Sequence, residues 1–134
     1  MVYIALGTNV GDRQRNLDSA RAALAALPDT RVLATSTVEE TRPLDQMDQP
    51  NYLNQMVALE TALEPETLLD ELLRIEREHG RERRQRWGSR TLDLDIVRFG
   101  DRVVSSDRLT VPHPEIANRD FWQRELIELR GDWR

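Results

Sequence analysis

The segment Leu92-Asp93-Leu94-Asp95-Ile96-Val97-Arg98-Phe99 sets Leu92, Leu94 and Ile96 against Asp93, Asp95 and Val97. A period of two is the mark of a strand with one face in a core and the other in polar surroundings. Gly100-Asp101 then supplies a turn, which predicts a hairpin partner around Val103-Val104.

The pattern can be followed upstream from there. Pro65 suits the first position of a helix that carries Leu68, Leu69, Leu72, Leu73 and Glu76 on one side and stops at Gly80. Tyr52 to Thr61 has strand character, and alternation puts Tyr52, Asn54, Met56 and Ala58 on one face, with Leu53, Gln55, Val57 and Leu59 on the other. Thr41 to Pro50, which also holds Pro43, reads as a loop. Arg31 to Thr37 alternates through Val32, Ala34 and Ser36 and predicts a strand. From Asn16 the period is helical, with Leu17, Ala20, Leu24 and Leu27 on one stripe and Pro28 ending it. Val2 to Leu6 is a buried strand closed by Gly7-Thr8-Asn9. The order strand, helix, strand, strand, helix, strand predicts an α+β fold with a ferredoxin-like βαββαβ core. In that arrangement an antiparallel sheet carries its flanking helices mainly on one face.

The whole chain, residues 1–134, is the length of one domain. With 39% apolar and 32% charged residues and a net charge of −5, it suits a soluble protein and not a general nucleic-acid binder, whose surface would be basic. All 19 basic residues are arginine. The lack of lysine excludes a P-loop, a protein-kinase strand lysine and Schiff-base catalysis, and the lack of cysteine excludes disulfides and thiolate chemistry. Met1 to Leu6 lacks the basic lead of a signal peptide, and no apolar run approaches the roughly 20 residues that span a bilayer, so a cytoplasmic location is expected.

Asp93 and Asp95, two apart in a strand, project from one face about 7 Å apart. That spacing suits a hard cation such as Mg²⁺, which is usually held by one or two carboxylates plus substrate phosphates; an acidic outer strand face is the plainer reading. Just upstream, Arg81, Arg83, Arg84, Arg86 and Arg90 fall within ten residues, with Glu82 the one acid among them. Guanidinium groups are forked phosphate donors, although such runs are commonly solvated faces. Their position directly ahead of two carboxylates favours a polyphosphate whose metal sits on the aspartates. Aromatics are few, and Trp87, Tyr52 and Phe121 either stack on a flat heterocycle or cover the core edge. Asn54 presents a donor and an acceptor side by side, matching a pterin or purine edge, and His113 between two prolines is a phosphate donor or a structural hydrogen-bonding group.

The stretch Arg86-Trp87-Gly88-Ser89-Arg90-Thr91-Leu92-Asp93-Leu94-Asp95-Ile96-Val97 closely resembles the signature of the 6-hydroxymethyl-7,8-dihydropterin pyrophosphokinase family of folate biosynthesis. Three further blocks resemble that family in its own order: Ala5-Leu6-Gly7-Thr8-Asn9, Asp48-Gln49-Pro50-Asn51-Tyr52-Leu53-Asn54 and Leu109-Thr110-Val111-Pro112-His113-Pro114. Together they run from about Tyr3 to Phe121.

The resemblance implies a single pyrophosphokinase domain that transfers diphosphate from ATP to the hydroxymethyl oxygen of the pterin and releases AMP. It implies two Mg²⁺ ions on Asp93 and Asp95, with Arg83, Arg90 and Asp95 closest to the chemistry. Arg81, Arg83, Arg90, Arg108, Thr110, His113 and Arg119 would form the nucleotide site, with Glu76 near it. The pterin would stack between Tyr52 and Phe121, with Asn54 and backbone near Thr41 and Leu44 reading its edge. Trp87 would close over both substrates. The only partners implied are these small molecules, with no nucleic acid and no membrane.

Two departures stand out. Asp45 stands where the family loop commonly has Gly, and Asp tolerates positive φ less well. Past Phe121 the chain reads Trp122-Gln123-Arg124-Glu125, where the family runs apolar and continues further, which suggests a C-terminally short variant. A thinner core or a compensating self-association of an otherwise monomeric protein is the expected consequence. The competing readings are a single-strand RNA-binding module with the same element order and a shortened paralogue that binds ATP or pterin without turnover. The first is weakened by the absence of an aromatic K/R-G-F/Y motif.

Overall fold

β1 (Val2–Thr8) is buried at every position, as a strand must be when both its edges are paired and both its faces covered. The computed structural model describes residues 1–42, 50–80 and 92–130. β1 pairs antiparallel with β4 (Tyr52–Thr61) on one side and β5 (Asp93–Phe99) on the other. β2 (Thr30–Thr35) lies outside β4, giving the order β2-β4-β1-β5 of a ferredoxin-like sheet. β3 (Glu39–Thr41) pairs with β4 further along, opposite Tyr52 to Asn54.

α1 (Arg13–Ala25) starts at Asp12, whose carboxylate accepts the Arg15 N–H at 3.1 Å, so the helix begins three residues before the predicted Asn16. α2 (Pro65–Gly80) has the predicted bounds. These two helices bury Leu17, Ala20, Leu24, Leu68, Leu72 and Ile75 against Ile4, Leu6, Val57, Leu59, Leu94 and Ile96. Each fully buried leucine or isoleucine among these contributes about 1.5–3 kcal/mol relative to exposure. Leu73, expected on the inner stripe of α2, is 38% exposed, and Ile75 is buried instead.

The opposite face of the sheet is covered by α3 (Asp120–Arg130) and the 3-10 turn Ile116–Asn118, which pack Ile116, Phe121, Trp122 and Leu126 on Tyr3, Ala5, Met56, Ala58 and Val97. Helices therefore lie on both faces, where the element order predicted mainly one. The alternation assigned to β4 and β5 holds, since Met56, Ala58 and Val97 join the α3 side while Val57, Leu59, Leu94 and Ile96 join the other. The hairpin partner of β5 does not form as expected. Val103 is exposed, and β6 (Val104–Ser105) pairs with β7 (Thr110–Val111) in a separate two-stranded sheet. Gly100, at φ +56, makes the turn after β5, a conformation that glycine adopts without strain. Asp45 lies outside the described residues.

Candidate functional site

The sheet face toward α3 is apolar at one end and polar at the other. Register places Gly7 of β1 between Asn54 of β4 and Asp93 of β5, and Ala5 between Met56 and Asp95. Strand alternation turns Asn54, Asp93 and Asp95 to this same face. The missing side chain at Gly7 makes the floor: a Cβ there would stand 3.4 Å from Asn54 Oδ1 and 3.6 Å from a Tyr52 ring carbon. Alanine would make ordinary contacts there, and only a side chain reaching past Cβ would press on the ring. Asn54 Nδ2 donates to Thr41 Oγ1 at 2.7 Å, so β3 fixes the orientation of the amide. The chain entering Tyr52 is fastened from the other side, where Asn9 Nδ2 donates to the Pro50 carbonyl at 3.3 Å and Arg13 Nη1 to the Asn51 carbonyl at 2.9 Å.

The two aspartates are braced from beneath. Glu76 on α2 accepts the Leu94 N–H through Oε2 at 2.7 Å, so one bond fixes the Asp93–Leu94 peptide, at the residue that separates the two carboxylates. Glu76→Leu is expected to lose about 1–3 kcal/mol of stability through the unsatisfied amide and to lower activity about tenfold. Glu76→Gln keeps the acceptor and should retain most of both. Equal loss in the two variants, measured by thermal melts and steady-state rates, would show that charge and not the brace matters.

The third side of the site is built where the chain rounds the β5 edge. Leu109 and Val111 pack in the core under α1 and α2, whereas Ile116 packs in the core under α3, so the crossing falls between them. The His113 N–H donates to the Val97 carbonyl at 2.9 Å and marks the crossing. His113 Nδ1 accepts the Glu115 N–H at 3.1 Å, which puts the proton of the neutral ring on Nε2, and Nε2 stands 3.9 Å from Asp95 Oδ1. Burial lowers the pKa of His113; Asp95 opposes that shift and Arg119 adds to it. The Arg119 guanidinium lies 4.5 Å over the Trp122 ring.

Of the residues singled out by sequence, Gly7's neighbours Tyr52 and Asn54 are thus brought together with Thr41, Asp93 and Asp95; His113 stands beside Asp95, and Arg119 lies close enough to His113 to lower its pKa. Phe121 is buried on the same sheet face, against α3's own core. Arg108 lies elsewhere: it pairs with Asp70 and, at 3.6 Å, with Glu66, both on α2. Thr110 is exposed on β7 opposite Ser105. Leu44, Arg81, Arg83, Trp87 and Arg90 lie outside the described residues. The half-buried Asp93 and Asp95 carboxylates are hard oxygen donors on one face, and among the described residues no cluster of three or more ligating side chains closes a cage. That donor set fits a cation whose remaining ligands are water and substrate oxygens.

Sequence reasoning missed the contributions of Arg13 and Trp122. Arg13 stands in the polar run Asp12-Arg13-Gln14-Arg15-Asn16 and belongs to no motif, yet its Nη1 also meets Glu40 at 3.1 Å. A tryptophan in an amphipathic stretch reads as core, and only the arginine three residues before it signalled anything else.

The sequence pattern described as 7,8-dihydro-6-hydroxymethylpterin-pyrophosphokinase matches residues 3–131. Over 130 residues the chain is 45% identical to the 2-amino-4-hydroxy-6-hydroxymethyldihydropteridine pyrophosphokinase of Haemophilus influenzae, covering 97% of this chain and 81% of that protein. It is 44% identical over 133 residues to the protein of the same name from Pseudomonas aeruginosa, covering 99% and 82%. With the protein of that name from Bacillus subtilis it shares 41% over 129 residues, covering 96% and 77%.

Proposed function

The chain belongs to the 7,8-dihydro-6-hydroxymethylpterin-pyrophosphokinase family, and from that premise we propose that the Asp93–Asp95 end of the sheet is its reaction centre. The enzyme transfers diphosphate from ATP to the hydroxymethyl group of 6-hydroxymethyl-7,8-dihydropterin in folate biosynthesis, giving the pterin diphosphate and AMP. The pterin oxygen bonds to the β-phosphorus as the bond from that phosphorus to the AMP oxygen breaks.

The observation that carries this reading is the register that sets Asp93 and Asp95 beside Gly7, Asn54 and Tyr52 on one face. Asp93 and Asp95 would hold two Mg²⁺ ions, which when bound neutralise charge on the oxygens around the β-phosphorus. His113, through its Nε2 proton, and Arg119 donate to phosphate oxygens next to them, joined by Arg81, Arg83 and Arg90. Glu76 acts from below as the brace of the metal-binding strand. Tyr52 and Phe121 take the pterin ring, Asn54 and Thr41 with Leu44 its polar edge, and Trp87 covers both substrates and keeps water from ATP. Asp95 is the nearest candidate to take the hydroxyl proton. As a cation-paired carboxylate it is a weak base, so positioning and charge neutralisation carry most of the rate. Arg108, paired with Asp70 and Glu66 on α2, and Thr110, exposed on β7, are given no part in this site. No helix among the described residues is long and apolar enough to cross a membrane, and we take the working form to be a cytoplasmic monomer.

AMP release from ATP is expected only when the pterin alcohol and Mg²⁺ are both present, and a chelator should stop it. AMP production that ignored the pterin, followed by a coupled assay, would sink the reading.

A further inference from the structure

We propose that Trp122 is a positioning residue for the nucleotide, holding Arg119 and His113 against the Asp95 side of the site. The inference rests on the reading that these two side chains meet the phosphates. Trp122 is only 2% exposed, and two different groups use its ring. The Arg119 guanidinium lies 4.5 Å from the ring centroid, and the His113 and Trp122 rings meet in a T-shaped pair at 4.9 Å and 88°. A cation over an indole face is held by the ring quadrupole, and an edge-to-face imidazole fits the same charge distribution.

What makes this more than core filling is how Arg119 is held. Its Nε is buried without a hydrogen-bond partner, and a guanidinium held by a ring face gives up none of its N–H donors to do so. A carboxylate partner would have fixed Arg119 just as well, but it would have consumed those donors and cancelled the charge. The ring fixes the group and leaves its charge and its Nη donors for an anionic ligand. The backbone strengthens the arrangement, because the Trp122 N–H donates to the Arg119 carbonyl at 3.0 Å at the start of α3, so ring and cation move as one turn. His113, held through its own N–H to Val97, abuts the same ring from the β5 side. A leucine at 122 would fill much of the volume and offer neither group an aromatic ring.

The test is calorimetric titration of Mg²⁺ and ATP, without pterin, into the wild-type protein, Trp122→Phe, Trp122→Leu, Arg119→Ala and the double variant Trp122→Phe/Arg119→Ala. The expected result is that Trp122→Phe weakens ATP binding about threefold and Trp122→Leu about tenfold. Steady-state KM for ATP should rise in step with a smaller change in kcat. In the Arg119→Ala background the Trp122→Phe loss should shrink to less than half, because the ring acts through the cation. Should Trp122→Leu fail to fold, Trp122→Phe and the double variant still decide the matter. Wild-type affinity in the Trp122 variants alongside weakened binding in Arg119→Ala, or losses that add in full, would overturn the role of Trp122 and leave the site reading intact. Wild-type affinity in Arg119→Ala would overturn the site reading itself, and the inference with it.

Discussion

Asp95→Ala is expected to lower the rate of pterin-dependent AMP formation by at least about 10³-fold while leaving the melting temperature within a few degrees of wild type. The two halves of that expectation have separate causes. Asp95 sits opposite Ala5 at the polar end of β5, with its side chain 41% exposed. Alanine there opens no cavity and breaks no core contact. Removing it also relieves the repulsion between two carboxylates carried on one strand face, so the apo fold should lose little or gain slightly. Catalysis has no such slack. Diphosphate transfer requires charge to be neutralised on oxygens around the reacting phosphorus, and Asp93 alone cannot hold two divalent ions in fixed relation. Asp95→Asn, nearly isosteric, should lose almost as much activity, because it keeps the shape and discards the charge. Retention of a tenth or more of wild-type activity in either variant, measured at saturating Mg²⁺, would place the cation site elsewhere.

How far such a site can be read before folding depends on how local its cause is. The strand from Asp93 to Phe99 and the helix from Pro65 to Gly80 are written in short-range periodicity and in the prolines and glycines that bound them, so both were legible. β3 was not, because Glu39-Glu40-Thr41 has no apolar alternation and becomes a strand only through the free edge of β4. α3 was hidden for another reason. Its inward face carries Phe121, Trp122 and Leu126 together with Glu125, and a buried acid breaks the apolar stripe that would have announced the helix. In α2 the paired leucines Leu68-Leu69 and Leu72-Leu73 leave the stripe ambiguous by one residue's rotation, and Ile75 resolves it inward. The site behaves likewise: its motifs were visible as words, but their meeting is a matter of register and of the crossing between Val111 and His113. Arg108 belongs to the same stretch of words, and the crossing leaves it on the α2 side.

Glu125 carries a pH dependence that can be stated in advance. It is 1% exposed, neither carboxylate oxygen has a hydrogen-bond partner, and the Oε2 of Glu39 is buried nearby in the same state. Burial first, and then the adjoining Glu39, push its pKa from the ordinary 4.5 up to about 9. The nearby charges do not undo this: Arg124 is drawn to Glu39 at 2.9 Å, and Glu128 is turned to the Thr37 N–H at 3.0 Å. Between those two pKa values the native state keeps a proton that the unfolded chain releases, so stability contributed at low pH is lost as pH rises through this window, by up to about 1.4 kcal/mol per pH unit. At pH 7 the cost relative to acid is about 3 kcal/mol. Above about 9 the folded carboxyl also ionises and the loss levels off. Glu125→Gln removes the proton requirement while giving Glu39 an N–H to accept, at the cost of one amide N–H with no partner, about 1 kcal/mol. The variant should therefore melt higher than wild type by about 5–10 °C at pH 7 to 8, with the gap narrowing toward pH 5. Parallel melting curves for the two proteins from pH 5 to 9 would mean that Glu125 is ionised in the folded state and that α3 docks over a buried charge.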